Sequence, residues 1–293
     1  MTTAPVSGVD AALIEATNAT LARIAAEFTP AVFASSLAAE DMVLTDLILK
    51  ARLSIGIFTL ETGRLHAETL AMLGRINTTY GYDVTPFRPD AAAVEAYVAN
   101  NGLNAFYDSI EMRKQCCRIR KVDPLNRALA GNRAWITGQR RAQSTTRAGL
   151  DVQEHDEAHG MAKFNPLADW SHDDVWQYIR ANEVPYNPLH DKGYPSIGCE
   201  PCTRAIQPDE DVRAGRWWWE NPDSKECGLH VVDGKLIRIK SATVSGALPS
   251  PLSNPPPDPV TDPMPDVDTN ADINTDTKAD TKADTESDTH IGR

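Results

Sequence analysis

Five cysteines offer the first chemistry in this 293-residue chain. Cys116 and Cys117 are adjacent, and Cys199 and Cys202 form a Cys-x-x-Cys pair much further along. Four thiolates in two short groups suit a tetrahedral zinc ion or a four-iron cluster. A lone Cys-x-x-Cys says little, because zinc ribbons and redox motifs share it. The adjacent pair sharpens the reading. Neighbouring side chains diverge along an extended chain, so turning both toward one metal needs a special turn. Two irons of a cubane accept adjacent thiolates more readily than a single zinc does. A structural zinc, or four unrelated buried thiols, remain the plainer alternatives.

Cys227 stands apart, in Ser224-Lys225-Glu226-Cys227-Gly228-Leu229-His230. Lys225 and His230 can lower the pKa of the thiol, Gly228 leaves the backbone free beside the sulfur, and the segment lacks bulky apolar residues. Those features describe an accessible nucleophile; an inert buried thiol is the alternative. Basic residues cluster at Arg118-Ile119-Arg120-Lys121 and at Arg140-Arg141. Such small clusters suit a small anion better than a polymer, and no long stretch is basic enough for a nucleic-acid surface.

The elements that must position these groups alternate. A helix is expected over 11–28, with Leu13, Leu21, Ile24 and Phe28 on one face. Short apolar strands over 31–35, 54–60, 83–87 and 134–137 are interleaved with helices over 41–50, 66–80 and 91–101. This pattern predicts an α/β fold, a parallel sheet with helices on both faces. Ligands of such sheets bind beyond the carboxyl ends of the strands, where the turns at Ser35, Thr62 and Gly138 fall. One more helix is expected over 172–181, with Ser171 as its N-cap. After it, Pro185, Pro188, Gly193, Pro195, Gly198, Pro201 and Pro208 break regularity. A loop so rich in Pro and Gly needs another source of order, and its cysteines suggest what that is.

The chain carries a net charge of −12, and from Ala247 onward ten acidic and three basic residues contribute −7 of it. This tail, with Thr-Lys-Ala-Asp repeated at 277–280 and 281–284, has the composition of a disordered segment. The expected organisation is a domain over 1–244, its nucleotide-binding sheet reaching about 170 and its cysteine loop and Cys227 segment filling 171–244, with the acidic tail over 245–293. The N-terminus has acidic residues where a secretory signal needs a basic start, and no stretch is apolar enough to span a bilayer. A cytoplasmic location follows, where cysteines are ligands or nucleophiles before they are disulfides.

Cys116-Cys117, Cys199-x-x-Cys202 and Glu226-Cys227-Gly228-Leu229-His230 together resemble the assimilatory adenylyl-sulfate reductases. Leu60-Glu61-Thr62-Gly63-Arg64-Leu65, the run from Cys117 to Leu129 and Thr137-Gly138-Gln139-Arg140-Arg141 extend the likeness from about Ala31 to His230. The resemblance implies an adenine-nucleotide α-hydrolase-like sheet and a [4Fe–4S] cluster on Cys116, Cys117, Cys199 and Cys202. It implies Cys227 as the nucleophile that reduces adenosine 5′-phosphosulfate to sulfite and AMP through an S-sulfocysteine. It also implies thioredoxin, or a glutaredoxin-like dithiol protein, as reductant. Ser35 and Ser36 stand in the phosphate loop, which lacks the glycine many relatives place there. Leu60, Gly63 and Gly138 fall on the nucleotide, and Arg120, Lys121, Arg140, Arg213 and Arg216 on the phosphosulfate, whose oxygens call for convergent cations. Trp217, Trp218 and Trp219 are expected to pack a small core rather than to stack on adenine. No nucleic acid or membrane partner is implied, and a homo-oligomer is compatible with it. The related 3′-phosphoadenylyl-sulfate reductases usually lack the four cluster cysteines. That activity, an ATP-using nucleotidyl transferase on the same sheet and a zinc-stabilised nucleotide-binding module are the competing readings.

Overall fold

The structure is a computed structural model and describes residues 9–143 and 147–221. Cys227, its neighbours Lys225, Gly228 and His230, and the acidic tail lie outside the described residues.

Helix α1 spans Ala11–Glu27, capped by the Asp10 carboxylate, which accepts from Ala12 N. Strand β1 (Ala31–Ala34) leads into α2 (Ala39–Lys50), and β2 (Ile55–Leu60) into α3 (Ala67–Tyr80). Then come β3 (Thr85–Phe87) and α4 (Ala91–Asn101). Helix α5 (Ile110–Cys117) runs through a π-helical turn at Arg118–Val122 into α6 (Asp123–Leu129). The sheet is completed by β4 (Ala134–Ile136), β5 (Gln153–Asp156) and β6 (Met161–Phe164), and α7 covers His172–Ala181.

The six strands lie in the order β3-β2-β1-β4-β6-β5. All neighbours are parallel except the pair β5 and β6 at one edge, with His155 opposite Ala162. The expected parallel sheet is thus present, with one antiparallel strand, β5, added at its edge. Its sequence gave little warning, because Gln153–Asp156 is wholly polar and half-exposed, as an edge strand can be.

Phe33, Leu44, Ile48, Phe164, Trp170 and Tyr178 belong to a large core beneath α1, α2 and α7. Phe58, Leu125, Leu129, Trp135 and Met161 form a smaller one. The α5–α6 run went unforeseen because it is polar around most of its circumference, so periodicity is silent there. Its punctuation was legible: Ser109 caps α5 through Met112 N at 3.1 Å, and Pro124 stands in the first turn of α6. The helix over 172–181 forms where the Ser171 cap predicts, closed by a full capping box with Asp174.

Strand β1 pairs with β2 on one side and β4 on the other. Connections leave it in opposite directions, so a crevice opens at the carboxyl ends of β1 and β4. Ser35 follows β1 at that edge and Gly138 follows β4.

Candidate functional site

A cavity of about 730 Å³ fills this crevice. That is within the range of small-molecule sites. On its wall lie Ser35, Ser36, Leu60, Lys121, Gly138, Arg140, Arg213 and Arg216. Gly63 and Arg120 do not face it. The Arg120 guanidinium donates to the Thr62 carbonyl at 2.7 Å and lines a second, smaller cavity. A Cβ on Gly63, whose φ is +71°, would meet Arg120 Nη1 at 3.2 Å.

The floor of the crevice is bound together by Asp41, in the first turn of α2. Its Oδ2 accepts from Ser36 N and Ser36 Oγ, each at 2.6 Å, and Gly138 N also donates to its carboxylate. A Cβ on Gly138 would fall 2.0 Å from Asp41 Oδ1, so only glycine lets the loop after β4 close on α2. The Ser36 hydroxyl is thus spent on Asp41, and the buried Ser35 Oγ accepts from Leu37 N at 3.2 Å. Burial pushes the Asp41 carboxyl up to about 6 against those hydrogen bonds, and the Glu40 charge adds to the rise.

Beside it, Glu40 accepts from Arg140 Nη2 at 2.7 Å and Nε at 3.1 Å, and from Gln143 Nε2 at 2.9 Å. Arg140 Nη1 donates to the Trp170 carbonyl at 3.2 Å. Burial alone would raise the Glu40 carboxyl, but the Arg140 charge and the hydrogen bonds from Arg140 and Gln143 hold it below its ordinary value. Sequence reasoning left His190 unassigned. Its Nε2 accepts from Ala39 N at 3.2 Å, which caps one of the open donors of α2. Burial holds His190 below its ordinary range, in keeping with a neutral ring that accepts there. Asp41, Glu40 and His190 carried no motif of their own. Glu40 and Asp41, both acidic in the first turn of α2, left the signal of a helix start, and His190 left none.

The second cavity is lined by all four cysteines, Cys116, Cys117, Cys199 and Cys202, together with Arg64, Arg113, Arg120, Lys121, Arg216 and Trp217. Cys116 and Cys117 close α5 just where the π-helical turn begins. The special turn that two adjacent cysteines require is therefore helical, not extended. Cys199 and Cys202 bracket a 3₁₀ turn, Glu200–Cys202. Thr62 Oγ1 lies 3.3 Å from Cys199 Sγ, and Glu200 N donates to the Arg64 carbonyl at 2.8 Å, so the turn is seated on the segment after β2.

Burial raises the Cys116 thiol, and it pushes Cys202 up to about 12, with Cys199 and Cys117 adding to the latter. As bare thiols the set gains nothing electrostatically from its crowding. Soft donors ringed by Arg113, Arg120, Lys121 and Arg216 suit thiolates that carry a net negative charge on a metal centre. Among the described residues, no three or more His, Cys, Asp or Glu side chains are grouped as ligands of a metal ion. The two cavities share Lys121, Arg216 and Trp217. Of the three tryptophans expected to pack a small core, Trp217 is buried against Phe106 and Trp219 packs on Tyr107 at 4.5 Å between ring centroids, whereas Trp218 is exposed.

Fold and site together define an α/β protein with a nucleotide-sized, cation-bearing crevice beside a four-thiol pocket. The phosphoadenosine phosphosulfate reductase domain matches residues 30–205, and the chain belongs to that family. The adenosine 5′-phosphosulfate reductase of Burkholderia cepacia is 63% identical over 221 residues, 75% of this chain and 88% of that protein. The protein of the same name from Allochromatium vinosum is 57% identical over 210 residues, 72% and 82% of the two chains. Among solved structures, the phosphoadenylyl-sulfate reductase of Candida auris, in a phosphate complex, superposes with a TM-score of 0.56 at 25% identity. It covers 65% of this chain and 90% of that one.

Proposed function

We propose that this protein is an oxidoreductase of sulfate assimilation that reduces adenosine 5′-phosphosulfate to sulfite and AMP. The observation that carries the reading is the wall shared by the two cavities. Lys121 and Arg216 face both the nucleotide-sized crevice and the pocket of four cysteines. The relatives named adenosine 5′-phosphosulfate reductase at 57–63% identity support the same substrate. The competing 3′-phosphoadenylyl-sulfate, nucleotidyl-transfer and zinc-module readings have no comparable support.

In this reading the nucleoside lies against Leu60, Ser35 and Gly138, and the phosphosulfate reaches Lys121, Arg213 and Arg216. Gly63 and Arg120 support the site from behind, through Thr62, and Arg140 acts through its pair with Glu40. The Cys227 thiolate attacks the sulfur of the sulfuryl group. An S–S bond forms as the S–O bond breaks, and AMP leaves with the electron pair. The cations neutralise charge that builds on the bridging oxygen. A dithiol reductant of the thioredoxin kind then attacks Cys227 Sγ, expels sulfite and forms a mixed disulfide. Its second thiol resolves that bond, so the two electrons come from the dithiol.

Cys116, Cys117, Cys199 and Cys202 would hold a [4Fe–4S] cluster. When bound, that group supplies fixed charge beside Lys121 and order to the Pro-rich segment rather than electrons. The location is taken as cytoplasmic. No helix among the described residues is long and apolar enough to cross a membrane.

The test is the intact mass of anaerobically purified protein incubated with adenosine 5′-phosphosulfate and no reductant. One sulfonate adduct that maps to Cys227 and vanishes on adding thioredoxin is expected. An unmodified chain in a sample of full iron content would overturn the covalent scheme, and zinc in place of iron would overturn the cluster.

A further inference from the structure

Trp217 carries two cations. The guanidinium carbon of Arg113 lies 4.6 Å from the centroid of its ring, and that of Arg216 lies 4.8 Å away. Other tryptophans of the core use their indole N–H: Trp170 donates to Thr17 Oγ1 and Trp135 to Asp156 Oδ2, both at 2.9 Å. Trp217 is 1% exposed, and its Nε1 has no hydrogen-bond partner among the described residues. It is therefore kept for the face of its ring. Its φ of +43° lies in the left-handed region that bulky residues avoid, a conformation that persists where the surroundings over-determine it. Here they do, since Trp217 N donates to the Cys202 carbonyl at 3.1 Å.

The two cations have different settings. Arg113 is fully buried and answered by Glu220, which accepts from its Nε at 2.6 Å and its Nη2 at 2.9 Å. Arg113 also hydrogen-bonds the Cys117 side chain. Arg216 reaches the wall between the two cavities. There its Nη1 meets Ser196 Oγ and the Ile197 carbonyl, both at 3.4 Å, the long end of hydrogen bonding. Room for it comes from Gly198, where a Cβ would fall 2.5 Å from Arg216 Nη2. The indole face, 4.8 Å from the guanidinium carbon, restricts the rotamers open to this arginine.

We propose that Trp217, seated by the Arg113–Glu220 ion pair, is a positioning residue that holds the Arg216 guanidinium against the phosphosulfate. Because Glu220 cancels the charge of Arg113, the indole can attract both guanidinium groups while the charge offered to the ligand is that of Arg216. The inference rests on adenosine 5′-phosphosulfate being the ligand of the crevice.

A double-mutant cycle tests it, on full-length, iron-loaded protein carrying Cys227→Ser so that binding can be followed at equilibrium. Trp217→Leu should raise the Kd for adenosine 5′-phosphosulfate about tenfold, the size of a desolvated cation–π contact. AMP, which lacks the sulfate, should be weakened much less. Trp217→Phe, which keeps an aromatic face without the N–H, should retain most of the affinity. On an Arg216→Ala background, Trp217→Leu should add nothing further. Additive losses in the cycle, or equal weakening of AMP and adenosine 5′-phosphosulfate, would overturn the inference. Should Trp217→Leu lose its iron, the cycle is run with Trp217→Met, which keeps bulk without an aromatic face, and the same two outcomes decide. Failure of the parent protein to bind adenosine 5′-phosphosulfate at all would instead overturn the functional reading beneath it.

Discussion

The nucleotide end of the crevice and the cysteine pocket beside it are built in opposite ways. Around Ser35, Asp41 and Gly138, two sheet loops and a helix start lock through hydrogen bonds of 2.6 Å, and Glu40 and Arg140 form a closed pair. Large hydrophobic clusters stand behind it. From Pro195 to Trp217 the described chain has a single 3₁₀ turn and two isolated bridges, Leu65 with Cys199 and Thr203 with Arg216. Its buried cluster is small: Phe106, Cys199, Cys202 and Trp217. Regular secondary structure finishes the first region before any ligand arrives. The second gathers cations and thiols on a thin core, whose order the proposed cluster would complete.

The sharpest way to break this contrast is to remove one of the four thiols. Cys202→Ser should purify with little iron and no turnover. By hydrogen exchange the amides of 195–217 should lose protection while those of β1 and β4 keep theirs. Full protection of 195–217 without iron would mean that Tyr107, whose hydroxyl donates to the Pro201 carbonyl at 2.7 Å, and its aromatic neighbours suffice to order the segment.

Next in size is Gly138→Ala. A methyl 2.0 Å from Asp41 Oδ1 forces the β4 loop away from α2. Overpacking of this kind costs about 1–3 kcal/mol, and AMP affinity should fall by roughly tenfold or more, because the floor itself moves. Thermal unfolding and calorimetric titration read the two effects. Asp41→Ala in the same chain should restore part of the stability by removing the colliding oxygen. If it restores none, the clash is not where the strain resides.

A smaller effect follows from the charge of Asp41. Its folded value of about 6 exceeds the ordinary 3.8, so between those pH values the folded protein keeps a proton that the unfolded chain has lost. The stability Asp41 contributes is therefore greatest at the acid end and declines as pH rises through about 6. Burial lowers His190 from its ordinary value, and Glu40 is held below its own by Arg140 and Gln143, so both shifts run opposite to that of Asp41. Below pH 6 the loop loses one negative charge, and adenosine 5′-phosphosulfate should bind several-fold tighter, on the order of 1 kcal/mol. Asp41→Asn should flatten that profile. A profile unchanged by Asp41→Asn would place the titration elsewhere.

The same contrast explains what was legible in the sequence. Short apolar runs and the helices between them, such as 31–34, 55–60 and 91–101, stand within a few residues of where their alternation puts them. They fix the crevice and therefore the places of Ser35 and Gly138. What periodicity could not show was the pairing of charges across loops distant in sequence. Arg140 and Glu40 are a hundred residues apart, and Arg113 and Glu220 still further. A basic motif reads the same whether its cation faces the crevice or is spent on a protein oxygen, so Arg120, bound to the Thr62 carbonyl, and Arg140, bound to Glu40, looked like Arg213 and Arg216.

Arg140→Lys gives the smallest expected effect and separates those two kinds of arginine. Lysine keeps the charge but cannot make the three contacts of the guanidinium, two to Glu40 Oε1 and one to the Trp170 carbonyl. If the nucleotide end is complete before the ligand arrives, the loss falls on stability, at about 1–2 kcal/mol in denaturant titration. The Kd for adenosine 5′-phosphosulfate should then change by less than about threefold. Arg216→Lys should show the reverse, with a smaller change in unfolding and a clear loss of affinity, if it meets the phosphosulfate as proposed. An Arg140→Lys protein that unfolds normally yet binds as poorly as Arg216→Lys would show that Glu40 releases Arg140 on binding. The nucleotide end would then be as unfinished without its ligand as the cysteine pocket.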